Sequence, residues 1–197
     1  MAKAIMRSCI RFDNGRAVIN NRVPKAGLGK CGQEGHMINP LINLIRGHKL
    51  IRLPEFEMWV DKNDPGICKR LMRRASRLKR DKAPGLCWEP EFNWIIRQEI
   101  ERLCKTFQKR DGRAVIYDLG ANIGYNSIII DEVCRKILPR EKYSIFAIEP
   151  VPANATLLKK NIAHHNLNAR FCDCAISDRS GRADFFLSDF CNWGALV

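Results

Sequence analysis

The sequence lacks any apolar run long enough to cross a membrane. No window holds the run of about 18 uncharged apolar residues that a membrane-spanning helix requires. The N-terminal stretch 1–7 has no apolar core of signal-peptide length either. We therefore expect a soluble protein of the cytoplasm, and 197 residues suffice for one domain with a core and a short appendage.

A metal-ligand pattern is also missing. The chain has four histidines and nine cysteines. The one close cysteine pair, Cys172 and Cys174, is separated by a single residue, which suits neither a zinc hairpin nor a thioredoxin-type site. His164 and His165 are adjacent, so on a helix they point about 100° apart. We expect no metal site, and we expect reduced thiols that pack as small hydrophobic side chains.

The positive charge, +13 in total, is unevenly placed. Residues 1–113 carry 25 Lys and Arg against 12 Asp and Glu, whereas residues 114–197 carry nine of each. Eight basic residues lie within 69–82, and this segment has one narrow apolar helical face, formed by Leu71, Ala75 and Leu78. Two interpretations stay open: a solvated helix, or a patch for phosphate, an acidic partner or nucleic acid.

The chain divides at about residue 56. Residues 1–55 are rich in Gly, Asn and Arg and predict a basic, loop-rich extension. The remainder, 56–197, is expected to form the main domain. Pro90 opens a helix that ends at about Asp111, and its apolar residues recur every three or four positions, namely Phe92, Ile95, Ile96, Ile100, Leu103 and Phe107.

From residue 114 onward, strands alternate with helices. The pattern predicts strands at 114–119, 143–148 and 169–175, with helices at 124–138 and 152–165. Such alternation is typical of a parallel sheet with right-handed crossovers. The expected fold class is therefore α/β, with a Rossmann-like parallel sheet preceded by a basic, mostly helical N-terminal extension.

The most specific pattern lies at the end of the first of these strands. Asp118 is followed by Gly120, Asn122 and Gly124, and a helix begins at once. Such a glycine turn lets the backbone approach a small molecule closely, and a helix N-terminus offers N–H groups.

Two phosphate-binding patterns fail on this sequence. A dinucleotide fingerprint needs glycine where Asn122 stands. A P-loop needs Ser or Thr after Gly29-Lys30, where Cys31 stands, and glycine at the position of Pro24. The remaining candidate is S-adenosylmethionine, which carries no phosphate.

Acidic residues also follow the second and third strands. Glu149 comes directly after 143–148, and ligands of such sheets bind at the carboxyl ends of the strands, beside strand one. A carboxylate at that place can accept both ribose hydroxyls of a nucleoside. Asp173, near the end of the third strand, is a candidate for the adenine amine. The alternative is that Asp118, Glu149 and Asp173 are ordinary solvated acids.

These motifs, in this order, resemble the FkbM family of methyltransferases. The resemblance covers about 56–197, and the segments that carry it are 88–91, 116–127, 146–154, 157–162, 165–166 and 175–178, with Gly181. It implies a class I, S-adenosylmethionine-dependent methyltransferase that acts on a hydroxyl oxygen of a small molecule, glycan or lipid.

The resemblance also implies roles for individual residues. Asp118, Gly120, Asn122 and Gly124 would line the methionine end of the cofactor. Tyr125, at the start of the helix, would either cover the cofactor or pack against the protein. By the same resemblance, Glu149 would hold the ribose and Asp173 the adenine.

The sequence departs from the family after the third strand. Sheets of this class run in the order 3-2-1-4-5-7-6, and the family's fourth strand carries a Lys–Asp–Glu-Gly type motif, but this sequence ends at Val197. We therefore expect only the 3-2-1 half, with strand one at an open edge that is available for self-association. No catalytic base is identified.

Two other functions stay open. One is a truncated pseudoenzyme that binds S-adenosylmethionine or acts as an interaction module. The other is a nucleic-acid-associated protein that uses 69–82.

Overall fold

The computed structural model describes residues 9–13, 16–20, 47–81, 88–177, 182–183, 185–187 and 194–196. In chain order the elements within these ranges are β1 (Cys9–Asp13), β2 (Arg16–Asn20), β3 (His48–Arg52), β4 (Glu57–Asp61), α1 (Ile67–Asp81), α2 (Pro90–Gln108), β5 (Ala114–Leu119), α3 (Tyr125–Ile137), a 3-10 turn (Arg140–Lys142), β6 (Tyr143–Ile148), α4 (Pro152–His164), β7 (Ala169–Cys172), β8 (Ala175–Ile176), β9 (Arg182–Ala183), β10 (Phe185–Leu187) and β11 (Gly194–Leu196). No helix in these ranges is both long enough and apolar enough to span a membrane.

A parallel sheet in the order β5-β6-β7 forms the centre of the segment from residue 114 to residue 172. Ala114 pairs with Tyr143 and Leu119 with Ile148, so β5 and β6 are in register along their whole length. The predicted α/β fold with the 3-2-1 strand order is confirmed, and β5 and β6 have the predicted bounds. Helices α3 and α4 differ from the prediction by at most one residue at either end.

Helices cover one face of this sheet. Side chains of a strand alternate between the two faces, and on β5 Ala114 and Ile116 are buried against α2 and α3. The alternate residues Val115, Tyr117 and Leu119 face outward, and they are 45%, 46% and 52% exposed. In the described part of the chain, β5 and β7 are the two edge strands of this sheet. The carboxyl ends of β5, β6 and β7 lie along one rim, where the candidate site is found.

The third strand is shorter than the sequence predicts. β7 ends at Cys172 instead of residue 175, because the chain turns at Asp173 and the Cys174 N–H donates to the Cys172 carbonyl at 3.1 Å. Ala175–Ile176 then forms β8, which pairs antiparallel with β1 in a different sheet. The turn places Asp173 immediately after β7 at the carboxyl rim.

The described elements within residues 1–55 are strands, where the sequence predicts a basic, loop-rich and mostly helical extension. β1 and β2 form an antiparallel hairpin, and β3 pairs with β4 across a turn closed by the Leu53 N–H and the Phe56 carbonyl at 2.8 Å. These strands are short, and their pairing partners cannot be read from local composition. The division of the chain at residue 56 stays a prediction, and that residue lies in the β3–β4 turn.

The β3–β4 hairpin joins the core through helix α1. Met58 and Val60 are fully buried in the same cluster as Cys68 and Leu71 of α1. Asp64 fixes the start of this helix, since its carboxylate accepts the Gly66 and Cys68 N–H groups, each at 2.8 Å. Most basic residues of α1 are exposed on its outer face, namely Lys69, Arg70, Arg73, Arg77, Lys79 and Arg80.

Cysteine chemistry differs in one respect from the expectation of reduced thiols. Cys68, Cys104, Cys134 and Cys172 are thiols, but Cys174 is disulfide-bonded. A Cys-x-Cys spacing says nothing about partners that are distant in sequence, so the disulfide could not be predicted from it. Among the described residues, no three His, Cys, Asp or Glu side chains are arranged to hold a metal ion.

Candidate functional site

The turn between β5 and α3 has an alternating left-handed backbone. Gly120, Asn122 and Gly124 have φ angles of +73°, +51° and +92°. Two consecutive N–H groups, those of Gly120 and Ala121, donate to the Ile148 carbonyl at 3.0 and 2.9 Å. The turn is thus tied to the last residue of β6 and lies on the carboxyl rim of the sheet.

The two glycines serve different purposes. A Cβ on Gly124 would come within 2.8 Å of the Leu158 Cδ1, so α4 packs directly on the turn. A Cβ on Gly120 would meet no described residue within 4 Å, so among these residues only its positive φ favours glycine there. The described residues therefore leave the backbone of Gly120 open to a ligand.

Asp118 is buried beneath the turn. Its carboxylate accepts a hydrogen bond from the Ser127 hydroxyl at 2.5 Å, and Ser127 lies in the first turn of α3. Burial raises the pKa of Asp118, and the hydrogen bonds from Ser127 partly oppose the rise. An anion at a helix N-terminus is favourable, so Asp118 orders the turn and also places negative charge beside it.

Glu149 is the most highly connected acid at the rim. Its Oε2 accepts the Asn122 N–H at 2.8 Å, and its Oε1 accepts the Val151 N–H at 3.0 Å and the Asn154 Nδ2 at 3.3 Å. Burial raises the pKa of Glu149, and these hydrogen bonds oppose the rise. A carboxylate has about four acceptor positions. Glu149 therefore keeps capacity for about one ribose hydroxyl, where the sequence suggested two.

Asp173 lies at the same rim, after the third strand. The Glu149 N–H donates to the Cys172 carbonyl at 3.2 Å, which joins the ends of β6 and β7. Neighbouring strands are about 4.8 Å apart. The structure therefore brings Asp118, Glu149 and Asp173 to successive strand ends along one rim.

Tyr125 packs within the protein. Its buried ring lies 5.1 Å from the Phe56 ring, centroid to centroid. Its hydroxyl accepts the Trp88 N–H and the Asn93 Nδ2, each at 3.2 Å, and donates to the Glu55 Oε1 at 3.4 Å. Of the two roles considered for Tyr125, this geometry matches packing, because the ring and hydroxyl join the hairpin and the start of α2 to α3.

Sequence reasoning missed three polar residues at the site. Asn161 is fully buried and donates to the Ile123 carbonyl at 2.7 Å, which supports the turn from α4. Asn154 lies seven residues earlier on the same helix, about two turns away, and contacts Glu149. That spacing of two amides on an inward helical face was a readable signal. Glu55, in the β3–β4 turn, gave no signal.

Comparison with known proteins finds weak likenesses to solved structures. No protein-family model and no curated protein matches the sequence. Solved structures that it resembles include a precorrin-6Y C5,15-methyltransferase from Geobacter metallireducens, at 20% identity and a TM-score of 0.27, over 39% of this chain and 38% of that one. Another is a SAM-dependent methyltransferase from Agrobacterium tumefaciens, at 12% identity and a TM-score of 0.36, over 85% of this chain and 39% of that one. The chain spans about two fifths of the length of each.

Proposed function

We propose that this chain binds S-adenosylmethionine at the carboxyl rim of β5 and β6, as part of a methyltransferase of the FkbM type. The observation that carries the proposal is the joining of the Gly120–Gly124 turn to Glu149 through the Asn122 N–H at 2.8 Å. This bond fixes the turn, where the described residues leave Gly120 uncrowded, beside a carboxylate that already accepts three of about four possible hydrogen bonds. The resemblance of the sequence motifs to that family supports the same ligand.

The hydrogen bonds of the turn argue against a phosphate-bearing ligand. Between residues 120 and 124, the N–H groups of Gly120, Ala121, Asn122 and Gly124 all donate to acceptors within the protein. Phosphate sites of dinucleotide and P-loop type rely on such N–H groups being available. In addition, Asp118 and Glu149 are acids adjoining the turn, and their charge would repel a phosphate.

The same features suit an uncharged ribose and a cationic sulfur centre. Glu149 would accept one ribose hydroxyl, Asp173 would accept from the adenine amine, and open space at Gly120 would admit the methionine part. The carboxylates of Asp118 and Glu149 would attract the positive charge of the ligand. When bound, S-adenosylmethionine supplies an activated methyl group, and we propose a hydroxyl oxygen as its acceptor.

A comparison between ligands with and without phosphate groups tests this proposal. The full chain is titrated calorimetrically with S-adenosylhomocysteine, NAD and ADP. The first ligand is a nucleoside without phosphate, and the other two carry phosphate groups. We expect one saturable site for S-adenosylhomocysteine and none for NAD or ADP. Tighter binding of NAD or ADP than of S-adenosylhomocysteine would overturn the proposal.

The outer face of α1 supports a second candidate function. Lys69, Arg70, Arg73 and Arg77 are exposed there, while the inner face of the helix packs on the hairpin. We propose that this face, within 69–82, binds an anionic partner such as nucleic acid.

A further inference from the structure

Glu55 is held at the edge of the candidate site by contacts on both sides of its turn. Its Oε1 accepts the Tyr125 hydroxyl at 3.4 Å, and Tyr125 is the residue that follows the glycine turn. On the C-terminal side, the Phe56 ring packs on the Tyr125 ring. The carboxylate of Glu55 is thereby attached to the start of α3 although it lies 70 residues earlier in the chain.

The hairpin that carries Glu55 is anchored independently of Tyr125. Asn161 Oδ1 accepts the Trp59 N–H at 2.7 Å, and Asn161 Nδ2 donates to the Trp59 carbonyl at 3.0 Å. The same Nδ2 donates to the Ile123 carbonyl inside the turn. The buried Asn161 amide therefore holds the hairpin and the glycine turn in fixed positions relative to each other. Glu55 is thus positioned before any ligand binds.

Within the described part of the chain, two buried acceptor atoms around this turn have no hydrogen-bond donor. They are the Glu55 Oε2 and the Asn122 Oδ1. Buried polar atoms in folded proteins nearly always have a partner, so each exception requires an explanation. Both atoms are acceptors, and one of them belongs to a carboxylate. A cationic donor with several N–H bonds would satisfy both atoms, and its charge would suit the carboxylate.

We propose that Glu55 Oε2, together with Asn122 Oδ1, accepts hydrogen bonds from the α-ammonium of the methionine part of the cofactor, an inference that rests on the proposed function. An ammonium group has three N–H donors and a positive charge, and therefore matches a carboxylate oxygen and an amide oxygen. The β3–β4 hairpin would then supply a residue that determines specificity for the amino-acid end of the ligand. By sequence, Glu55 lies at the end of the extension 1–55.

The test compares two ligands that differ in the amino-acid end. S-Adenosylhomocysteine carries the ammonium, and 5′-methylthioadenosine lacks it. Both are titrated calorimetrically into the full chain, into Glu55→Gln, and into Glu57→Gln, a control at an exposed glutamate of the same hairpin. Glu55→Gln keeps an oxygen for the Tyr125 hydroxyl but removes the charge.

We expect Glu55→Gln to weaken S-adenosylhomocysteine about tenfold or more and to leave 5′-methylthioadenosine unchanged. Glu57→Gln should change neither affinity. Equal effects of Glu55→Gln on the two ligands, or no effect on either, would overturn the inference and leave the proposed function standing. Failure of the wild-type chain to bind either ligand would overturn both.

A measurement on the wild-type chain keeps the inference testable if Glu55→Gln does not fold. The decarboxylated analogue of S-adenosylhomocysteine retains the amine and lacks the carboxylate. It should bind about tenfold more tightly than 5′-methylthioadenosine, because the ammonium contacts remain. Equal affinities for these two compounds would contradict a role for Glu55 in ammonium recognition.

Discussion

The carboxylate of Glu149 accepts a hydrogen bond from the backbone N–H of Asn122 at 2.8 Å. This bond joins the residue after β6 to the turn after β5. Asn122 has a φ of +51°, a conformation that side-chain-bearing residues seldom adopt. The shape of the turn and the orientation of the carboxylate therefore depend on each other, and the candidate site is a single unit built on two strand ends.

The two glycines of the turn should differ in their tolerance of substitution. Gly120→Ala places a side chain at positive φ in open space, and should lower the free energy of unfolding by about 1–2 kcal/mol. Gly124→Ala adds an overlap with Leu158, and should cost about 2–4 kcal/mol. Urea unfolding of both variants measures the difference. A smaller loss for Gly124→Ala than for Gly120→Ala would contradict the packing of α4 on the turn.

Asn161→Ala should destabilise the protein and loosen the hairpin. The substitution removes three hydrogen bonds from half-buried backbone groups of Trp59 and the buried carbonyl of Ile123, at a cost of about 2–4 kcal/mol. Hydrogen exchange at the Trp59 amide should accelerate more than at β6 amides. Thr156→Ala on the same helix loses a bond to the Pro152 carbonyl within the helix and serves as the control. Equal stability losses for the two variants would argue against Asn161 as the link.

Ligand affinity should depend on pH through the buried acids. Burial raises the pKa of Asp118 and of Glu149. The pKa of each acid is higher in the folded than in the unfolded state. The contribution of each acid to the free energy of unfolding is therefore complete below the unfolded-state pKa, and it is lost as the pH rises through the folded-state pKa. Attraction of a cationic ligand needs the ionised carboxylates of Asp118 and Glu149, and is therefore favoured by higher pH.

The affinity for S-adenosylmethionine should therefore fall as pH decreases from neutral toward the ordinary carboxylate range. Uncharged 5′-methylthioadenosine should lose less affinity over the same range. Titrations at stepped pH values measure both curves. An S-adenosylmethionine affinity that increases toward acid pH would contradict the role assigned to these carboxylates.

Binding of nucleic acid by α1 should depend on its exposed arginines. Replacing Arg73 and Arg77 with Gln should weaken binding of an RNA oligonucleotide and reduce the salt slope by about two, one for each lost phosphate contact. Replacing Arg102 and Arg110, which are exposed elsewhere, should leave the slope unchanged. Fluorescence anisotropy at several salt concentrations gives the slopes. Identical slopes for the two double variants would exclude this face of α1 as the binding surface.

The sheet and its glycine turn could be predicted because their signals are local. The apolar runs of β5 and β6 end at acids and glycines, and those boundaries coincide with the observed strands. β1 and β8 could not be predicted, because Ile10 pairs with Ala175 far along the chain. Strand pairing at such separation depends on tertiary packing and leaves little trace in local composition.

The residues of the candidate site also fall into those that the sequence predicts and those that it does not. Asp118, Glu149 and Asp173 follow strands whose order could be inferred, so their common rim could be inferred as well. Glu55 could not be identified, because its position depends on the Tyr125 hydroxyl and on the Asn161 amide, both in distant segments. Nothing in the residues around Glu55 indicates that its carboxylate has a buried, unpartnered oxygen.

The central claim is that S-adenosylmethionine binds at Glu149 and the glycine turn. It is tested most directly by titrating S-adenosylhomocysteine into the wild-type chain, Glu149→Gln and Glu141→Gln, with thermal unfolding confirming that each is folded. Glu141 is an exposed residue of the 3-10 turn before β6 and serves as the matched control. We predict one site in the wild-type chain and in Glu141→Gln, and an affinity about tenfold or more weaker in Glu149→Gln. A folded wild-type chain that binds no S-adenosylhomocysteine, or a Glu149→Gln variant that binds it as tightly as Glu141→Gln, would contradict the account.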